Sequence, residues 1–192
     1  MDLQKINVKI FITDPSPIQA ETLVEVFNTW IQNSDGKYYD LADYAHVPAG
    51  PGILLVAHEA NVSIDNNGNR WGLLYSRKQP EEGSNREKLR SALATALEYC
   101  RRIEAEPALR GRVRFRGDEA MVLVNDRLLA PNTEETFVAI RPDVEALARG
   151  LYAGSGFSLE REQDSRKRFG LYMKAADSFD VGTLIKNLGN VN

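Results

Sequence analysis

The segment 62-VSIDNNGNRWGLLYSRK-78 decides the fold class. Two apolar runs flank Asn67-Gly68, and both positions of that dipeptide accept positive φ, so the chain should reverse there as a type I′ hairpin. A second hairpin is read in 112-RVRFRGDEAMVLV-124, with Gly117-Asp118 in a type II′ turn. A third lies in 157-FSLEREQDSRKRFGLYMK-174. There Phe157 and Leu159 share a face with Phe169, Leu171 and Met173, while Glu160 and Glu162 oppose Arg166, Arg168 and Lys174 on the outer face. Hairpins mean antiparallel pairs. The expected class is therefore α+β: a mostly antiparallel sheet with helices packed on it, built from helix-then-hairpin units in succession.

Outward from that hairpin, 6-INVKIFIT-13 alternates Ile6, Val8, Ile10 and Ile12 with Asn7, Lys9 and Phe11, the period of a strand with one apolar face. A helix follows to about Ile31, with Ser16 as N-cap, Pro17 at its first position and Gln19 closing a capping box. Leu23, Val26, Phe27, Trp30 and Ile31 form its buried stripe. Residues 37-KYYDLADY-44 alternate weakly, 46-HVPAGPG-52 is irregular, and the continuous apolar run 53-ILLVAHE-59 reads as a strand covered on both faces. Ser84 with Glu87 makes another capping box, and Leu89, Leu93, Ala96, Leu97, Cys100 and Ile103 carry the helix behind it to about Ala105. Asn132 is the expected cap of a helix that Pro142 should divide in two, the second piece running to Tyr152. A short helix, 181-VGTLIKNLG-189, follows the third hairpin.

A chain of 192 residues suits a single α+β domain over 1–192, with the polar loop 79–84 as the best internal boundary. Charge is balanced, 24 basic against 27 acidic residues, a net charge of −3. That balance argues against nucleic acid as the partner of a dedicated DNA or RNA coat protein. The lone Cys100 cannot form an internal disulfide and lies on an apolar stripe, so it reads as a buried hydrophobe in a reducing, cytoplasmic setting. No secretory leader and no membrane-spanning run are visible.

No glycine-rich phosphate loop, C-x-x-C, H-E-x-x-H or nucleophile elbow occurs. Any chemistry must come from a less regular set. The first candidate is catalytic, Asp43, His46 and His58, with Asp40, Glu59 and Asp65 close in sequence. Two imidazoles and a carboxylate can hold a metal or exchange protons near neutral pH. The bland alternative is a structural His58 bonded to backbone or to Asp43. The second candidate is anion binding by Arg112, Arg114 and Arg116 on one strand face, within a wider set of Arg101, Arg102, Arg110 and Arg127. Guanidinium rows hold phosphate or carboxylate. Neighbouring carboxylates argue instead for a solvated face. Asn132 and Thr133, at a helix start, are a third anion candidate, with a simple cap as the alternative.

The segments 42-ADYAHVPAGPGILLVAHEA-60, 72-GLLYSRK-78 and 125-NDRLLAPNTEETF-137 resemble an uncharacterised family of bacterial, mainly cyanobacterial, proteins. The resemblance implies a bacterial cytosolic protein and transfers no activity, cofactor or site residue. The leading expectation is a cytosolic binding or assembly domain, with homodimerisation through a free sheet edge. The alternatives are a small metal-dependent or acid/base hydrolase at Asp43/His46/His58, or an anion or RNA binder at Arg112/Arg114/Arg116. Cofactor, protein partner and small-molecule ligand stay open.

Overall fold

The alternation of Ile6, Val8, Ile10 and Ile12 places β1 (Ile6–Ile12) at the centre of the molecule. In the computed structural model, which describes residues 1–14, 18–47, 50–109 and 111–190, β1 is flanked on both sides. The other strands are β2 (Tyr38–Tyr44), β3 (Gly52–Ala57), β4 (Ala60–Asp65), β5 (Gly72–Arg77), β6 (Phe115–Val124), β7 (Phe157–Arg161) and β8 (Phe169–Ala175). They form one sheet in the order β2-β3-β4-β5-β1-β6-β8-β7, with every neighbouring pair antiparallel. The α+β class read from the hairpins is the observed one.

Four helices cover one face: α1 (Ala20–Gln32), α2 (Asn85–Ala105), α3 (Glu134–Leu151) and α4 (Val181–Gly189). The α2 stripe Leu89, Leu93, Ala96, Leu97, Cys100 and Ile103 is fully buried with β1 and β5 beneath it. Ser84 caps this helix, its hydroxyl accepting from Glu87 N while Glu87 Oε2 accepts from Ser84 N at 2.7 Å. On α1, Leu23, Val26, Phe27 and Trp30 of the expected stripe are buried, and Ile31 is half-buried. The cap at Ser16 and Pro17 and part of the 46–52 loop lie outside the described residues.

Several local expectations are corrected. Residues 112–124 hold no hairpin; β6 is a single strand bonded to β1 and β8. Gly117 and Asp118 form a bulge there. Ile10 pairs with Ala120 but Ile12 with Phe115, so β6 carries extra residues at that point. A Cβ on Gly117 would lie 1.8 Å from Phe179 O, so the glycine permits a close backbone approach rather than a turn. Pro142 does not divide α3. Ile140, Val144 and Leu147 are buried across it, and their packing holds the helix through one missing hydrogen bond. Thr133, not Asn132, caps α3. Between β4 and β5 the reversal is wider than two residues, with positive φ at Gly68 and Asn69. Strand β3 is covered only on its helix side: Ile53, Leu55 and Ala57 are buried, while Leu54 and Val56 are half-buried on the other face.

Candidate functional site: the open face of the sheet

The strand alternation that points Ile6, Val8 and Ile10 at the helices points Asn7, Lys9 and Phe11 away from them. Register sets Lys9 beside Leu74 and Met121, and Met121 beside Tyr172. Among the described residues no helix lies over this face, yet Asn7, Lys9 and Phe11 are all under 5 % exposed. Their cover is the rim: the β4–β5 turn on one side and the β7–β8 turn on the other. Between the rims lies an open cleft of about 340 Å³.

An ion pair sits at its floor. Lys9 Nζ donates to Asp65 Oδ1, with both side chains 5 % exposed or less, and to Asn67 O at 3.3 Å. Asn67 N donates to the same Asp65 oxygen at 3.0 Å, so the carboxylate also shapes the turn. An ammonium has three N–H donors, and two are matched. Among the described residues no acceptor meets the third. Burial pushes the Lys9 pKa below its ordinary value, against the pull of Asp65.

On one flank, Arg70 lies 3.7 Å above the Phe11 ring and grips Glu119 through both carboxylate oxygens, at 2.9 and 2.6 Å. Phe11 stacks on Tyr172, with ring centres 6.4 Å apart. Along the other rim, Lys167 meets Glu162 at 3.1 Å and Arg166 meets Asp164 at 2.9 Å. The Arg166 guanidinium holds the Asp164 carboxyl down at about 2. Arg168 donates to Asn125 Oδ1 at 3.3 Å. Among the described residues neither Arg168 nor Arg127 has a carboxylate partner. Among the described residues six cationic side chains line the cleft against two carboxylates, Asp65 and Glu162. The site is electropositive in a chain of net charge −3.

The structure does not assemble Asp43, His46 and His58. The β2–β3 hairpin pairs Tyr44 with Gly52 at one end and Tyr38 with Ala57 at the other. His46 follows the first end and His58 the second, so a strand of 6 residues at about 3.3 Å each separates them by roughly 20 Å. Both histidines are exposed. His58 Nε2 lies 3.9 Å from Glu59, and Asp43 accepts from Ala45 N at 2.8 Å. Among the described residues no group of three or more His, Cys, Asp or Glu is placed to hold a metal.

The Arg112, Arg114 and Arg116 row is also dispersed. The first two precede β6, and only their outward direction matches expectation. Arg112 Nε donates to Leu109 O at 3.4 Å, Arg114 lies 3.9 Å from Glu104, and Arg116 clasps Asp118 at 3.0 and 2.6 Å. Arg101 pairs with Glu98, and Arg102 covers Trp30. Arg110 is outside the described residues. Among the described residues of the wider set, only Arg127 reaches the cleft. Asn132 is buried, its amide donating to Glu162 O and Asp164 O at 2.9 Å each, so it braces the cleft rim instead of binding an anion. The one local sequence signal of this cleft is Phe11, an aromatic on the same strand face as Asn7 and Lys9. A face with such a residue is not simply solvated.

Compared with protein-family models, curated proteins and solved structures, the chain matches none. Among the described residues no helix is long and apolar enough to cross a membrane.

Proposed function

We propose that this chain is a cytosolic binding domain whose open sheet face receives a small anionic ligand. The observation that carries it is the cleft: among the described residues cations outnumber carboxylates on its walls, two arginines lack carboxylate partners, and a buried ammonium keeps one unmatched donor. Small-ligand sites are typically concave, with a few convergent polar groups. The cytosolic part rests on the single buried thiol, Cys100. The resemblance to a bacterial family adds no residue role.

The test is calorimetry with pyrophosphate and citrate on the purified protein. Binding should weaken with added salt. A charge-assisted hydrogen bond contributes about 1.5–3 kcal/mol, so the Arg127→Ala/Arg168→Ala pair should lower affinity by at least about tenfold. Absence of binding by either anion, or affinity indifferent to that pair, overturns the proposal.

A second reading, self-association, is favoured by the two sheet edges. On the β7 edge stand Glu160 and Arg161, charges that discourage pairing, whereas β2 exposes Tyr39 at 59 % and Tyr44 at 42 %. Light scattering should then report a dimer that Tyr39→Lys dissociates. A monomer at micromolar concentration removes this reading.

A further inference from the structure

We infer that the ligand is a small polyol bearing one anionic group, phosphate or carboxylate, an inference that rests on the anion-binding proposal above. The cleft does not end at Lys9. A second chamber of about 390 Å³ continues along the open face and shares Asp65, Asn67, Leu74 and Arg168 with the first. Its floor has a different chemistry. Asn61 pairs in register with Ser76, and Ser76 with Asn7, so three short polar side chains stand side by side on adjacent strands. Ser63 lies two residues along β4, on the same face. Neighbouring strands are about 4.8 Å apart, so the row from Asn7 to Asn61 is roughly 10 Å long. That length suits a five- or six-carbon polyol.

Acceptors without donors mark this floor. Asn7 Oδ1 and Asn61 Oδ1 are buried and receive no hydrogen bond among the described residues, and Asn7 is only 2 % exposed. Asp65 engages Lys9 and Asn67 through Oδ1, leaving Oδ2 without a matched donor among the described residues. Buried polar atoms in native proteins are nearly always partnered, and unpartnered ones in a groove point to a partner that is not protein. Two buried oxygen acceptors in one chamber, with the Asp65 carboxylate beside them, call for a ligand rich in donors. Hydroxyl groups donate to these oxygens and accept from the Ser63 and Ser76 hydroxyls, which a purely cationic ligand could not do. A cation would also meet the repulsion of the neighbouring arginines. Arg168 borders both chambers, so it is placed to hold the anionic group while the carbon chain lies over Asn7, Ser76 and Asn61. Arg127 and the third N–H of Lys9 complete the anion end.

The experiment compares ligands on the full chain by calorimetry. Ribose 5-phosphate, glucose 6-phosphate and gluconate are the polyol anions; inorganic phosphate, acetate and glucose are the matched fragments. At least one polyol anion should bind about tenfold or more tightly than both of its fragments, a gap of about 1.4 kcal/mol. Which one wins separates phosphate from carboxylate. Asn7→Ala with Asn61→Ala should erase that gap and leave affinity for inorganic phosphate unchanged, whereas Arg127→Ala with Arg168→Ala should weaken both. Polyol anions that bind no better than their fragments overturn the polyol inference while anion binding stands. Failure of every anion to bind overturns both. The wild-type comparison needs no variant, so a misfolded Asn7→Ala/Asn61→Ala protein does not spare the inference.

Discussion

Lys9 and Asp65 place a charge pair in the floor of a sheet, where desolvating two ions offsets much of their attraction. The pair is therefore a weak contributor to stability when intact and a costly one when broken. Lys9→Ala should destabilise the fold by about 3–5 kcal/mol, because it leaves Asp65 buried and unpaired. The double replacement Lys9→Met/Asp65→Leu should be neutral, or stabilising by about 1–4 kcal/mol, while abolishing anion binding. Urea denaturation with parallel calorimetry checks both. A double variant as unstable as Lys9→Ala would show that the pair serves the fold itself. The histidines behave differently. His46 and His58 are exposed, and alanine at either should change stability by no more than about 0.5 kcal/mol. A larger loss at His58 would restore the structural role that its strand-end position suggested.

At the scale of elements, two rules of local chemistry met stronger tertiary terms. Pro142 sits within α3, where its ring removes a backbone donor, yet the buried stripe on both sides keeps the helix whole. Since Pro142 is itself exposed, Pro142→Ala should raise stability by up to about 3 kcal/mol, read as a higher urea midpoint. A lower midpoint would mean that the ring packs usefully. Gly117 illustrates the converse. A turn glycine would tolerate neighbours, but this one faces Phe179 O so closely that Gly117→Ala should cost about 1–3 kcal/mol through forced displacement of the 179 backbone. An unchanged midpoint would contradict the bulge. The α2 cap and stripe, by contrast, were legible from Ser84, Glu87 and the three-and-four spacing because each of their interactions spans at most one helical turn.

For the whole molecule, acid stability tests the rim of the cleft. Burial pushes the Glu162 carboxyl up, but the Asp164 amide and Lys167 outweigh it and leave it below 4.5. Arg166 holds the Asp164 carboxyl at about 2, and Arg116 holds Asp118 below 3.8. Folded values below unfolded ones mean that the unfolded chain binds more protons at acid pH. The stability these carboxylates add is present above pH 4.5 and is lost as pH falls through their lowered values, ending near 2. A urea midpoint that falls less from pH 4.5 to 2.5 in Asp164→Asn than in the wild type would assign the Asp164 share of the effect; equal declines would refute it. What the sequence by itself determined was the apolar periods of most elements, and hence the α+β class, since strand alternation, helix stripes and caps are interactions between near neighbours. Only the tertiary structure decided that 112–124 is one strand, that the two histidines lie at opposite hairpin ends, and that Lys9 meets Asp65 across 56 positions. Strand order sets those meetings, and it follows from pairing energies summed over the whole sheet, which no local run of residues encodes.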